Sequence, residues 1–228
     1  MNKILKAKFF TLFFIILIYN ITALSQVQDA GSWTGLNAEI KISNNLRASV
    51  EQQVRLIDNI SSFDKTFTDL GFTIRFSRNL RLSANYRYIF ENIGLNNQRV
   101  YFSLLFRKRI LDRTRLSYRI RYQNQFDKLL NENRYLRNKL RLNYNIRKSK
   151  LDPYLAVELY YHFNNYIVYK NEEVLVYHEF NKYRIQFGWN INLRNNRSMD
   201  IFYIYQKEFN VNNPEIDNIF GIIYNFRL

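Results

Sequence analysis

Polar and apolar residues alternate one by one over nearly the whole chain after its N-terminal segment, and this rhythm limits the folds open to it. Leu116, Tyr118, Ile120 and Tyr122 are separated by Ser117, Arg119 and Arg121. Tyr183, Ile185, Phe187, Trp189 and Ile191 are separated by Arg184, Gln186, Gly188 and Asn190. The same beat runs through Leu80, Leu82, Ala84, Tyr86, Tyr88 and Phe90, through Val100, Phe102, Leu104 and Phe106, and through Leu140, Leu142 and Tyr144. Period-two alternation gives an extended strand one apolar and one polar face. Many of these runs cover 10 to 13 residues. An average globular strand has about 5–6 residues, whereas a strand crossing a bilayer needs about 9–11. Short connectors such as Ser43-Asn44-Asn45 and Ser77-Arg78-Asn79 alternate with longer ones at 57–66, 91–97, 126–134, 164–181 and 210–215. Short turns at one end and long loops at the other are the habit of outer-membrane barrels. A soluble β-sandwich, or a periplasmic lipid-binding β protein, also alternates, but its turns use more glycine and proline than the 6 and 2 found here. The pattern therefore predicts an all-β, antiparallel up-and-down transmembrane β-barrel.

The first residues bear on the compartment. Residues 1–8 carry Lys3, Lys6 and Lys8 and no acid, residues 9–18 read FFTLFFIILI, and Ala23 and Ser25 stand at −3 and −1 to a cut before Gln26. That anatomy predicts a cleaved secretory signal peptide over 1–25 and a barrel domain over 26–228. Its destination is the outer membrane of a Gram-negative bacterium, after passage through the inner membrane. The chain has no cysteine, which removes disulfides, thiol nucleophiles, Cys-type metal sites and a lipoprotein anchor. A net charge of +15 with 17% aromatics invites a nucleic-acid reading. Secretion argues against it, and three of those charges leave with the leader.

The C-terminal residues Phe220, Ile222, Tyr224, Phe226 and Leu228 alternate to the end of the chain. They resemble the terminal strand by which outer-membrane barrels meet their assembly machinery, although such strands usually end in Phe. Further pieces are Trp33 opening the first strand, Asn133-Arg134-Tyr135, Pro153-Tyr154 leading to Glu158, Tyr183-Arg184-Ile185 before Gly188, and the segment DIFYIYQKEFN at 200–210. With these the chain resembles the domain-of-unknown-function 2490 family of Gram-negative bacteria. The resemblance implies an outer-membrane-type barrel and supplies no established activity.

Eleven strands can be counted from Ser32 to Leu228, yet antiparallel closure requires an even number. Ten to twelve strands are expected, twelve being favoured, with 166–177 the segment most suspected of hiding a strand.

The charges then gain positions. Long connectors collect acids, among them Asp58, Asp64, Glu172, Glu173 and Glu215, while short turns collect bases, among them Lys108, Arg109, Lys148 and Lys150. The polar strand face carries Arg47, Arg75, Arg81, Arg87, Arg119, Arg121, Arg137, Arg141 and Arg184 against Glu39, Glu51, Asp69, Glu158, Asp200 and Glu208. Arg55, Arg107, Arg115, Lys139 and Lys182 add to the same face. In a barrel these residues point inward. Two readings follow. Arginine forks and carboxylates fill the lumen with a polar network, or the basic excess makes a narrow passage that prefers small anionic solutes. The role expected is structural, interaction or small-solute passage, with outer-membrane lipid as the surrounding partner and no nucleic acid. His162, four residues after Glu158, and His178, before Glu179, are the candidates for an outer-membrane lipid hydrolase. No Gly-x-Ser-x-Gly or identifiable triad accompanies them, so no enzyme is expected. No cofactor or metal motif is present either.

Overall fold

The computed structural model describes residues 28–91, 96–126, 132–170, 173–211 and 213–228. Residues 1–25, expected as the leader, lie outside the described residues. Those described form strands and no helix. In chain order they are β1 (Gln28–Lys41), β2 (Leu46–Ile57), β3 (Ser62–Arg75), β4 (Leu80–Glu91), β5 (Asn96–Leu111) and β6 (Thr114–Phe126). They continue with β7 (Glu132–Tyr144), β8 (Leu151–Lys170), β9 (Glu173–Asn192), β10 (Arg197–Glu208) and β11 (Ile216–Arg227). Each pairs with the next in antiparallel fashion, and β1 meets β11 to close the barrel.

The closing pair corrects the parity argument. β1 runs parallel to β11, from Gln28 opposite Ile216 to Glu39 opposite Arg227. One parallel seam removes the need for an even number, so the described residues close with eleven strands where twelve were favoured. Parallel pairing is slightly weaker per residue than antiparallel pairing, and this seam has additional ties. Leu228 N donates to Glu39 O at 2.8 Å and Lys41 N to Leu228 O at 3.2 Å. Two positions further in, Asn37 Nδ2 donates to Asn225 Oδ1 at 3.0 Å. A consequence is that β1 begins at the same end as β11. Gln28 therefore sits at the end expected to carry the long connectors, and Leu228 at the short-turn end.

Two connectors read as long are in fact mostly strand. The 57–66 segment shrinks to a turn of Asp58, Asn59, Ile60 and Ser61, because a register shift at Arg55/Leu56 lets Phe63 and Lys65 join the β2–β3 ladder. The first three of those turn residues have positive φ, and Ile60, at 67°, is β-branched and strained there. Residues 166–177 supply no extra strand. They lengthen β8 and β9 to 20 residues each, with Tyr166 opposite Tyr177 and Lys170 opposite Glu173.

The short turns show why the chain reverses where it does. Ser43 Oγ accepts from Asn45 N at 3.3 Å and Leu46 N at 3.1 Å. Ser77 Oγ accepts from Asn79 N at 3.2 Å and Leu80 N at 3.1 Å. The shared Ser-x-Asn-Leu spelling is one serine-capped turn used twice. The β9–β10 turn places Asn195 and Asn196 at φ 59° and 57°, a conformation asparagine tolerates.

Outward faces are apolar almost all the way round. Leu36, Val50, Phe72, Tyr88, Phe102, Tyr122, Leu140, Leu155, Phe187 and Ile222 are all exposed. On β10 the outward Ile201, Tyr203 and Tyr205 are half-buried, as Tyr203 packs on Phe220 and Tyr205 on Tyr183. An exposed apolar surface this continuous calls for a non-aqueous covering.

Candidate functional site

Two buried carboxylates organise the interior. Asp69 on β3, 3% exposed, stands opposite Arg87 on β4. It accepts from Arg87 Nε at 2.7 Å, from the Tyr101 hydroxyl at 2.5 Å and from Asn85 Nδ2 at 2.9 Å. Glu158 on β8 is equally buried. Arg137 Nη2 donates to both its oxygens, at 3.0 and 3.1 Å, and Arg119 Nη2 to Oε1 at 2.9 Å. The Tyr160 hydroxyl completes the set at 3.3 Å. Aromatic rings hold the guanidiniums flat. Arg87 lies 3.6 Å from the Phe67 ring centre and Arg137 lies 4.5 Å from that of Tyr160. A buried charge is tolerable only when paired and hydrogen-bonded in this way.

Other carboxylates hold smaller groups. Glu39 pairs with Arg47 at 3.0 Å and with Arg227 at 3.6 Å, near the short-turn end. Glu208 pairs with Lys182 at 2.6 Å near the opposite end. Glu51 lies within electrostatic reach of Arg87, Arg55 and Arg121. Asp200 sits beside Tyr154 and Asn190, and its Oδ1 has no hydrogen-bond partner. Arg75 stands opposite Arg81 at the short-turn end of the β3–β4 ladder, away from both buried carboxylates.

Six cations end on neutral acceptors instead. Arg55 Nε donates to Gln53 Oε1 at 2.8 Å, Arg121 Nε to Ser103 Oγ at 3.0 Å, and Arg184 Nε to Gln206 Oε1 at 2.6 Å. Arg141 Nε donates to Asn143 Oδ1 at 3.1 Å and Lys139 Nζ to Gln186 Oε1 at 2.6 Å. Arg99 donates to Gln125 through Nε and Nη2. An amide fixes the guanidinium without cancelling its charge. Arg99 escaped the sequence reading because the Asn96-Asn97-Gln98 run before it resembles a loop, whereas β5 already begins at Asn96.

A purely polar interior is corrected by the opposite side of the barrel. Tyr154, Phe202, Ile204 and Ile219 form a buried cluster, with Trp33 and Ile223 against it. Glycine makes room for the rings. Gly221 lies opposite Phe202, and a Cβ there would collide with the ring. Gly188 lies between Tyr154 and Phe202, and a Cβ would come within 2.7 Å of the Tyr154 ring.

Space remains between these walls. A central cavity of about 450 Å³ has eleven Lys and Arg side chains in its lining and four carboxylates, Glu51, Glu91, Glu158 and Asp200. Beyond it at the Gln28 end lies a cavity of about 380 Å³, sharing Trp33, Arg55, Lys65, Lys182 and Arg184 with the central one and lined further out by the carboxylates Asp29, Asp58, Asp64, Glu208, Glu215 and Asp217. Towards the short turns lie cavities of about 300 and 370 Å³. The first shares Glu51, Tyr101, Arg119 and Arg121 with the central space, and the second shares Arg119, Lys139, Arg141 and Asp200. At each junction cations outnumber carboxylates.

The histidines lie to one side. His162 is buried on the inner face of β8 and stacks on Tyr135, ring centres 4.2 Å apart. His178 meets the edge of Phe163 at 6.3 Å. Among the described residues no cluster of metal-ligating side chains occurs.

Among solved structures, the fold is similar to a bacterial polysaccharide outer membrane secretin at 5% identity and a TM-score of 0.52, covering 77% of this chain. The chain spans 62% of that secretin's length. It is also similar to the NanC porin at 15% identity and a TM-score of 0.48, covering 78% of this chain and 85% of the porin. No curated protein matches the sequence. A family model described as "Protein of unknown function (DUF2490)" matches residues 30–217, most of the chain from β1 through β10 to the first residues of β11, and the protein belongs to that family.

Proposed function

We propose that the protein is an outer-membrane barrel that passes small anions through a cation-lined interior. The observation that carries this reading is the row of four cavities whose shared linings are dominated by arginine and lysine. A filled structural plug would match each cation with a carboxylate. Here five arginines rest on amides or hydroxyls and not on carboxylates. A low-dielectric wall strengthens the field of such charges, so anions concentrate in the path and cations are repelled. The apolar outer face is the surface that membrane lipid covers, and the alternating strand β11 supports recognition by the barrel assembly machinery.

Purified protein in a planar bilayer under a potassium chloride gradient tests the reading. The expected result is a small conductance whose reversal potential lies on the chloride side. Absence of conductance, or cation selectivity, overturns it. Fractionation with the outer membrane and heat-modifiable gel migration are the expected companions, and a soluble periplasmic protein would overturn the membrane assignment.

A further inference from the structure

We propose that Arg55 and Arg184, set around the Trp33 indole, form a binding site for organic carboxylates that carry an apolar body. The proposal builds on the passage reading, since it places the site on the path, but its evidence is local.

Trp33 on β1 stands opposite Arg55 on β2. The Arg55 guanidinium lies 3.8 Å from the indole centre. Arg184 on β9 reaches the same indole at 5.1 Å and the Tyr160 ring at 5.0 Å. Each guanidinium is fixed twice, by a ring face and by a glutamine that takes its Nε proton. What each leaves is the pair of Nη groups, the edge that meets a carboxylate through two parallel hydrogen bonds. Neither makes an ion pair among the described residues. Their cationic neighbours are already neutralised: Lys65 pairs with Asp64 at 3.1 Å and Glu91 at 3.6 Å, and Lys182 pairs with Glu208. The two arginines are thus the cations at this junction with no carboxylate in direct contact, although Glu51 and Asp64 act on Arg55, and Glu158 and Asp217 on Arg184, from further off. Like-charge repulsion between them is felt at Arg55, which also faces Arg87 and Arg99, and a bound anion relieves it.

The second half of the argument is apolar. Trp33 meets the Phe202 ring edge-on at 6.4 Å, and Phe202, Ile204 and Ile223 continue into the central cavity's lining. A hydrated inorganic anion leaves that surface unused. A carboxylate with a saturated ring or chain satisfies the two forks and covers the apolar wall together, and burying that body adds to affinity. The site lies where the cavity at the Gln28 end joins the central one, so a ligand held there stands in the path.

The chain's two tryptophans provide the probe. Trp189 faces outward and is 40% exposed, so a Trp189→Phe variant leaves Trp33 to report on the site. Folded protein in detergent is titrated with cyclohexanecarboxylate and, separately, with cyclohexanemethanol, acetate and inorganic phosphate. The expected result is a saturable change in Trp33 emission with the cyclic acid, about tenfold weaker binding of acetate and phosphate, and none of the alcohol. Arg55→Gln or Arg184→Gln should weaken the acid by about tenfold or more, and Arg184→Lys, which keeps the charge and removes the fork, should weaken it too. Equal binding of the alcohol, or of phosphate, overturns the proposal, as does full affinity in the arginine variants. Where a variant fails to show the heat-modifiable band, the ranking of the four probes on the parent protein decides. Binding without bilayer conductance would remove the passage reading and leave the site; conductance without binding would do the reverse.

Discussion

The wall built from β4 to β7 and the wall built from β10, β11 and β1 stand opposite one another around the ring of strands, and they are held by different physics. The first presents Arg87, Arg99, Arg119, Arg121, Arg137 and Lys139 to the interior, each fixed by directed hydrogen bonds. The second presents Trp33, Phe202, Ile204, Ile219 and Ile223, fixed by volume and by glycines that leave space for the rings. The cationic wall is sensitive to the loss of a partner and the apolar wall to the gain of a methyl group. The asymmetry sets these arginines on one side of the interior and the packed rings on the other, together with the acids Asp200, Glu208 and Asp217.

The largest effect should come from Glu158→Gln. It leaves Arg137 buried, and Arg119 half-buried, without their anion, a change that costs about 3–5 kcal/mol in comparable buried pairs. Urea titration of the folded, heat-modifiable band is expected to show a large drop in midpoint, and an unchanged midpoint would mean that the network is dispensable. Gly221→Val tests the other wall. Its side chain must displace the Phe202 ring, and overpacking of this kind costs about 1–3 kcal/mol. A Phe202→Ala change in the same molecule should restore part of the loss, because the two residues stand opposite one another; failure to restore it would point away from steric conflict. Arg47→Gln sharpens the contrast from outside. Its partner Glu39 is the same chemical type as Glu158 but half-exposed, and exposed pairs contribute about 0–1 kcal/mol. A loss as large as that of Glu158→Gln would show that burial is not what separates the two.

Much of this organisation was legible in the chain. Outward residues such as Phe102, Leu140 and Phe187 follow from alternation, because the side-chain period of a strand is strictly two. The serine-led turns follow from Ser43 and Ser77. The closing seam was not legible: Gln28 and Ile216 are neighbours only through a parallel pairing, and no local pattern announces which edges of a sheet will meet. Parity reasoning then pointed to a twelfth strand where the strands in fact change their relative direction. The inner apolar wall did leave a signal, in β10. There Ile201, Phe202, Tyr203, Ile204 and Tyr205 are apolar on both faces, which is how a strand reads when neither face meets water. Alternation taken alone assigns such residues to lipid and misses the inward half. The pairing of cations with amides could not be assigned in advance either, because choosing Gln206 for Arg184 requires the β9–β10 register.

The parallel seam also limits how this barrel can be cut and rejoined. In a barrel closed by antiparallel neighbours, first and last strands finish at one rim, and a short linker can join them so that the chain is reopened elsewhere. Here Gln28 and Arg227 lie at opposite rims of adjacent strands. A linker would have to travel the height of the wall, about 40 Å for twelve residues at roughly 3.3 Å each, either through the interior or across the lipid face. Joining these two strands end to end would therefore take a long crossing linker that a barrel closed by antiparallel neighbours does not need.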